Sequence, residues 1–167
     1  FLLHIITGLE SEVWSNKIVH RDLKPDNILI RPNSEPVIID LGIARFLELD
    51  SLTHNKAPFG PHTPHFAAPE QLLNTRGRID KRTDIYALGI LVSLLALKHH
   101  PFDPRVINKG NDIDENILLG NHVDLFEAPN ISQPFASLAT KMISREPFDR
   151  FKNGIQLMKF IKNNWPL

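Results

Sequence analysis

Three side chains of different chemistry stand within six residues of one another. They are Asp22, Lys24 and Asn27, inside the run His20-Arg21-Asp22-Leu23-Lys24-Pro25-Asp26-Asn27. A further carboxylate, Asp40, follows Asn27 by thirteen residues. An amide oxygen and a carboxylate are hard-oxygen donors of the kind that suit Mg²⁺. A lysine beside them adds positive charge for a phosphate, and a second carboxylate could take a proton. Those are the parts that phosphoryl transfer asks of a protein: positioning, charge neutralisation and a base.

Such a site works only if the chain brings Asp40 back beside Asn27. Ile28-Leu29-Ile30 and Val37-Ile38-Ile39 are short β-branched-rich runs with Pro32, Asn33, Ser34 and Pro36 between them. This pattern predicts a small hairpin with Asp40 at its far end. Upstream, Leu2, Ile5, Ile6, Leu9 and Val13 share one face at helical spacing, which predicts a helix over 2–14. Residues 17–27 are polar, carry Pro25 and read as a loop. The stretch 40–80 is broken by Pro58, Pro61, Pro64, Pro69, His54, His62 and His65. Phe46, Leu47, Phe59 and Phe66 recur through it, so it reads as a long functional loop and not as a linker. Helical patterns return over 84–97, near 115–119, over 135–143 and over 154–163. The fold class is therefore mainly α, with a little β in the first third and no internal domain boundary.

The run H-R-D-L-K-P-D-N resembles the catalytic loop of eukaryotic-type protein kinases. Further marks follow in the family's order. Asp40-Leu41-Gly42 is similar to the D-F-G metal-binding motif, with Leu for Phe, and Ala68-Pro69-Glu70 matches A-P-E. Asp84 through Gly89 resembles the start of the family's central buried helix, and Arg150 resembles the late arginine of the family's C-terminal lobe. The resemblance covers about residues 1–162. It implies a Ser/Thr kinase large (C-terminal) lobe spanning 1–167, a helical bundle whose β-hairpin carries the catalytic and metal loops, with ATP, Mg²⁺ and a protein substrate as partners.

Roles carry over as implications of that resemblance. Asp22 would be the catalytic base, and Lys24 would neutralise the γ-phosphate. Asn27 and Asp40 would hold Mg²⁺, and Leu29 would lie in the apolar floor under the adenine. His20 and Leu41 would pack in the internal hydrophobic column, with Gly42 completing the metal motif. Asp84 would accept catalytic-loop N–H groups, and Glu70 would pair with Arg150. Thr63, in T-P-H-F-A-A-P-E-Q, would sit in the substrate groove, although Pro61 and His62 depart from the glycine usual before it. Arg21 and Arg45 would form a pocket for a phosphate at Ser51 or Thr53.

Composition narrows the alternatives. The 167 residues carry 19 basic and 19 acidic side chains, which gives no global pull toward nucleic acid or anionic membrane. Zero cysteine excludes disulfides and thiolate metal sites and is compatible with a reducing, cytoplasmic setting. The eight histidines show no H-E-x-x-H pattern. Arg76, Arg78, Lys81 and Arg82 read as a solvated face. The apolar run 85–97 is 13 residues long, whereas a membrane span needs roughly 20. The chain contains no G-x-G, so the glycine-rich loop of a small N-terminal lobe is expected to lie outside it, and this segment alone is expected to transfer phosphate poorly. A truncated or pseudokinase lobe that docks partners is the alternative reading. Aminoglycoside-type phosphotransferases are disfavoured by Arg21, Lys24 and Glu70.

Overall fold

Asp80 begins the helix around which the molecule is organised. Its carboxylate accepts the Arg82 N–H at 2.8 Å, and its own N–H donates to Thr83 Oγ1 at 3.3 Å, a reciprocal cap. Helix α3 (Lys81–Leu97) follows, and Lys98 ends it in the left-handed region at φ 65°. Residues 83–93 of α3 are buried on every side. That burial explains an apolar run without a polar face as far as Ser93; beyond it Leu95 is 52% exposed. The computed structural model describes residues 1–40, 45–46, 65–107 and 110–166.

Two apolar clusters meet across α3. Ile85, Leu88 and Leu91 face Ile5, Leu9, Trp14, Leu138 and Phe151. Tyr86 and Ile90 face Leu72, Phe102, Ile117, Leu125 and Ile143. The first cluster takes in α1 (Leu2–Gly8) and α7 (Gly154–Asn164). The second takes in α2 (Pro69–Leu72), α5 (Ile113–Leu119) and α6 (Gln133–Met142). A short α4 (Pro104–Ile107) lies between α3 and α5 in the chain. α3 and α6 approach so closely at Gly89 that a Cβ there would stand 2.6 Å from Met142 Cβ.

Helical structure continues past α1 as a π-helical turn, Leu9–Val13, and a 3₁₀ turn, Trp14–Asn16. The sequence spacing predicts one uninterrupted helix there. The wider turn instead alters the winding just before Trp14, whose indole is then committed to a polar partner on α3.

The predicted hairpin is present. β2 (Ile28–Ile30) pairs antiparallel with β3 (Pro36–Ile38), Ile28 opposite Ile38 and Leu29 opposite Val37. The second strand begins one residue before the β-branched run, because a proline opening a strand forgoes only an N–H at its end. A second small pair joins β1 (Ile18–Val19) to β4 (Arg45–Phe46). The long loop expected over 40–80 is not irregular throughout: it contains β4, α2 and a 3₁₀ turn, Arg76–Arg78. Pro69 disturbed the apolar periodicity yet occupies the first turn of α2, where its missing N–H is harmless. Leu41, Gly42, Ser51, Thr53 and Thr63 lie outside the described residues, as does the side chain of Arg45. Among the described residues no helix is long and apolar enough to cross a membrane.

Candidate active site

The loop 20–27 is held by its backbone before its polar side chains are placed. Asp84 is fully buried on α3. Its Oδ2 accepts the His20 N–H at 2.9 Å and the Trp14 indole N–H at 2.8 Å, and its Oδ1 accepts the Arg21 N–H at 2.8 Å. Burial pushes the Asp84 carboxyl above the usual range, and the three donors oppose that shift without cancelling it. From the other side, Gln71 Nε2 donates to the Arg21 carbonyl at 2.9 Å while its Oε1 accepts the Ala68 N–H at 3.1 Å. Arg21 takes a left-handed φ of 70° between these two anchors. Leu23 is buried in the apolar core.

The fixed backbone converges three side chains. Pro25–Asn27 form a 3₁₀ turn closed by the Asn27 N–H on the Lys24 carbonyl at 3.0 Å. Asn27 Nδ2 then donates to the Asp22 carbonyl at 2.8 Å and to Asp22 Oδ2 at 3.0 Å. Lys24 Nζ lies 2.9 Å from the same Oδ2. Asp40 is brought alongside by the hairpin: the Ile39 N–H donates to the Asn27 carbonyl at 2.9 Å. The chain turns at Asp40 with φ 63° and leaves that residue exposed. His20 is fully buried, and its Nδ1 accepts the Asp22 N–H at 3.3 Å. Leu29 is 55% exposed on β2.

The donor set fits a hard divalent cation. Asn27 commits its amide nitrogen to Asp22, which leaves its side-chain oxygen as the atom to offer a metal, and its own carbonyl accepts the Ile39 N–H next to Asp40. Among the described residues no group of three or more His, Asp or Glu side chains forms a metal cage. Mg²⁺ commonly makes do with one or two protein oxygens and keeps waters and phosphate oxygens for the rest.

Below the loop lies a second polar cluster. Glu70 and Arg150 form a two-pronged ion pair at 2.7 and 2.9 Å with both side chains buried. Arg150 also donates to the carbonyls of Arg82, Ser144 and Arg145, so all five of its N–H groups are used. Thr83 Oγ1 donates to Glu70 Oε1 at 2.8 Å.

Sequence reasoning assigned no role to Trp14, Gln71 or Thr83. Trp14 reads as one more apolar residue of the first helix, and nothing in spacing reveals that its N–H is spent on Asp84. Gln71 stands directly after Ala68-Pro69-Glu70, so its position was visible and its bridging was not. The basic stretch over 76–82 is partly paired: Arg78 bonds Glu146, and Arg82 bonds Asp80 at 2.6 Å.

The family model for the protein kinase domain matches residues 1–165. The chain belongs to the protein kinase domain family. This kinase chain is 32% identical over 165 residues to the serine/threonine-protein kinase PrkC of Bacillus subtilis, covering 96% of the chain and 24% of that relative. It is 35% identical over 153 residues to the probable serine/threonine-protein kinase ireA of Dictyostelium discoideum, covering 89% of the chain and 14% of that relative. It is 30% identical over 142 residues to the serine/threonine-protein kinase PknL of Mycobacterium tuberculosis, covering 84% of the chain and 34% of that relative. The kinase chain thus spans about a third or less of the length of these curated relatives.

Proposed function

We propose that this chain is the large lobe of a Ser/Thr protein kinase, which transfers the γ-phosphoryl group of ATP to a serine or threonine hydroxyl of a protein. The observation that carries the reading is the convergence of Lys24 and Asn27 on Asp22, with Asp40 tied alongside through Ile39. In the step proposed, Asp22 orients the acceptor hydroxyl and takes its proton. The hydroxyl oxygen forms the new bond to the γ-phosphorus, and the bond to the bridging oxygen breaks with its electron pair leaving on ADP. Lys24 neutralises the transferring group. Asn27 and Asp40 would hold Mg²⁺, whose charge offsets that of the phosphates.

Leu29, exposed on the hairpin, is the surface offered to the adenine. A small lobe with its glycine-rich loop and strand lysine would complete the nucleotide cleft, so the 167-residue chain alone is expected to turn over far below the typical 1–100 s⁻¹. Thr63 is assigned to the substrate groove. Arg21 and Arg45 are assigned to a phosphate at Ser51 or Thr53.

The test is Asp22→Asn in the full-length protein, with labelled ATP and a mixed Ser/Thr peptide library. Transfer is expected to fall by about 10²–10⁴-fold with the melting temperature nearly unchanged. Transfer at the unsubstituted rate would refute Asp22 as the base. No transfer by either protein, with nucleotide binding also absent, would favour a docking lobe.

A further inference from the structure

Among the described residues, three further histidines that phosphotransfer does not use, His65, His99 and His122, lie around His100 and Phe102 in the turn after α3. The half-buried His100 ring bridges two backbone groups. Its Nε2 lies 2.8 Å from the His65 carbonyl, and its Nδ1 lies 3.2 Å from the Phe102 backbone nitrogen. A carbonyl only accepts and an amide N–H only donates. Nε2 must therefore carry the proton and Nδ1 the lone pair, which describes a neutral imidazole in one tautomer. An imidazolium cannot fill this place, because its Nδ1–H would face the Phe102 N–H.

Charged and titratable groups approach His100 from each neighbouring element. The His65 ring stands edge-on with centroids 6.0 Å apart, and its Nδ1 is 3.5 Å from Asp114 Oδ1 of α5. Asp103 lies in the same turn, bound to Arg105. His99 Nδ1 is 3.1 Å from the His100 carbonyl, and His122 lies against the Phe102 ring with centroids 5.7 Å apart. Burial pushes His100 below the usual histidine range, with the proximity of His65 acting in the same direction. Asp103, Asp114 and the bond to the His65 carbonyl pull upward without cancelling the effect. An independent observation comes from the other end of the bridge. His65 sits in the left-handed region at φ 73°, a conformation that persists where surrounding bonds hold it.

We propose that His100 is an acid-released latch, which as a neutral imidazole fastens the His65 carbonyl to the turn after α3 and on protonation lets it go. Protonation sets two donors against each other at Phe102, so the ring must turn out and the bond to His65 goes with it. From His65 the chain runs directly into 68–71, where Gln71 grips the Arg21 carbonyl. The latch thus bears on the support of the loop 20–27. It goes beyond the phosphotransfer reading and does not rest on it. The sign follows from a folded-state value below the unfolded one of about 6.5. The latch is fully closed above that pH and is lost as pH falls through the lower, folded value.

The test is nuclear magnetic resonance on the full-length protein labelled with ¹⁵N at His and Phe, titrated between about pH 5 and 8. His100 is expected to show the Nε2–H tautomer at neutral pH and to protonate below the ordinary value. The amide signals of Phe66 and Phe102 should move with the same midpoint. His100→Gln should abolish that movement. His65→Asn, which keeps the carbonyl and tolerates left-handed backbone, should retain it. An Nδ1–H tautomer, or amide signals that do not follow His100, would overturn the latch even if no variant folded. So would a transition lost in His65→Asn and kept in His100→Gln.

Discussion

Replacing Glu70 by alanine should damage the protein more than any surface substitution, and the structure sets the size. The two side chains of the Glu70–Arg150 pair are 1% and 0% exposed. Arg150 spends two of its five N–H groups on Glu70 and three on main-chain carbonyls. Without Glu70 the guanidinium keeps its carbonyls and loses its counter-charge, and water does not reach it to compensate. Stranding one member of a buried pair costs about 3–5 kcal/mol. Folded domains hold about 5–15 kcal/mol in total. With about 2–4 °C of melting temperature per kcal/mol at this chain length, the melting point should fall by about 6–20 °C. Calorimetry and urea unfolding would read it, with the urea slope unchanged. Arg31–Glu35, at 3.9 Å with both partners exposed, is the internal control. Glu35→Ala should stay within about 0.5 kcal/mol. The double variant Glu70→Leu/Arg150→Met should cost less than the sum of its singles, because it buries no charge. A Glu70→Ala loss under about 1 kcal/mol, or strict additivity in the double variant, would refute the reasoning.

Other substitutions probe other contacts. Gly89→Ala should destabilise by about 1–3 kcal/mol in thermal melting, since its Cβ would overlap Met142 and Ile143 and push α3 from α6. Trp14→Phe keeps the ring in the core but withdraws an N–H from a buried carboxylate, and the urea midpoint should register about 1.5–3 kcal/mol. Asp103 is held down to about 2 by its hydrogen bonds from Arg105, below the unfolded value of about 3.9. Its stabilising share is therefore present above about pH 4 and lost as pH falls toward 2. Urea midpoints across that range should converge for Asp103→Asn and the unsubstituted protein. A gap that persisted undiminished at the acid end would contradict the assignment.

The candidate site was legible in the sequence to the extent that its residues are local. Asp22, Lys24 and Asn27 lie within one turn-containing loop, so residue order alone brings them near one another. The hairpin was legible because two β-branched runs flank a proline-rich turn, and it delivers Asp40. The burial of α3 over 83–93 matches an apolar run without a polar face, but the last four residues of that run are only half-buried or exposed, Leu95 at 52%. What spacing could not reveal were bonds between distant segments. The Trp14 and Asp84 side chains meet across 70 residues of chain, and Gln71 reaches Arg21 across 50. The π-helical turn before Trp14 was hidden because the apolar spacing of Leu2, Ile5, Ile6 and Leu9 is that of an ordinary helix. Pro69 was misleading in the opposite sense: a residue that ends helices also begins them.

The Glu70–Arg150 pair has a temporal meaning as well as an energetic one. Its partners are 80 residues apart in the chain, and the groups it gathers at 82, 144 and 145 come from the ends of other elements. Closing so long a span spends chain entropy before the contact gives anything back. The geometry in which all five donors are satisfied exists only once α2, α3 and the turn before Arg150 are in place. The pair is thus expected to act more on the rate of opening than on the rate of assembly, which folding and unfolding rates of Glu70→Ala would check. It works as a bolt shot after the door has closed, lengthening the lifetime of a loop whose supports run through the same helices.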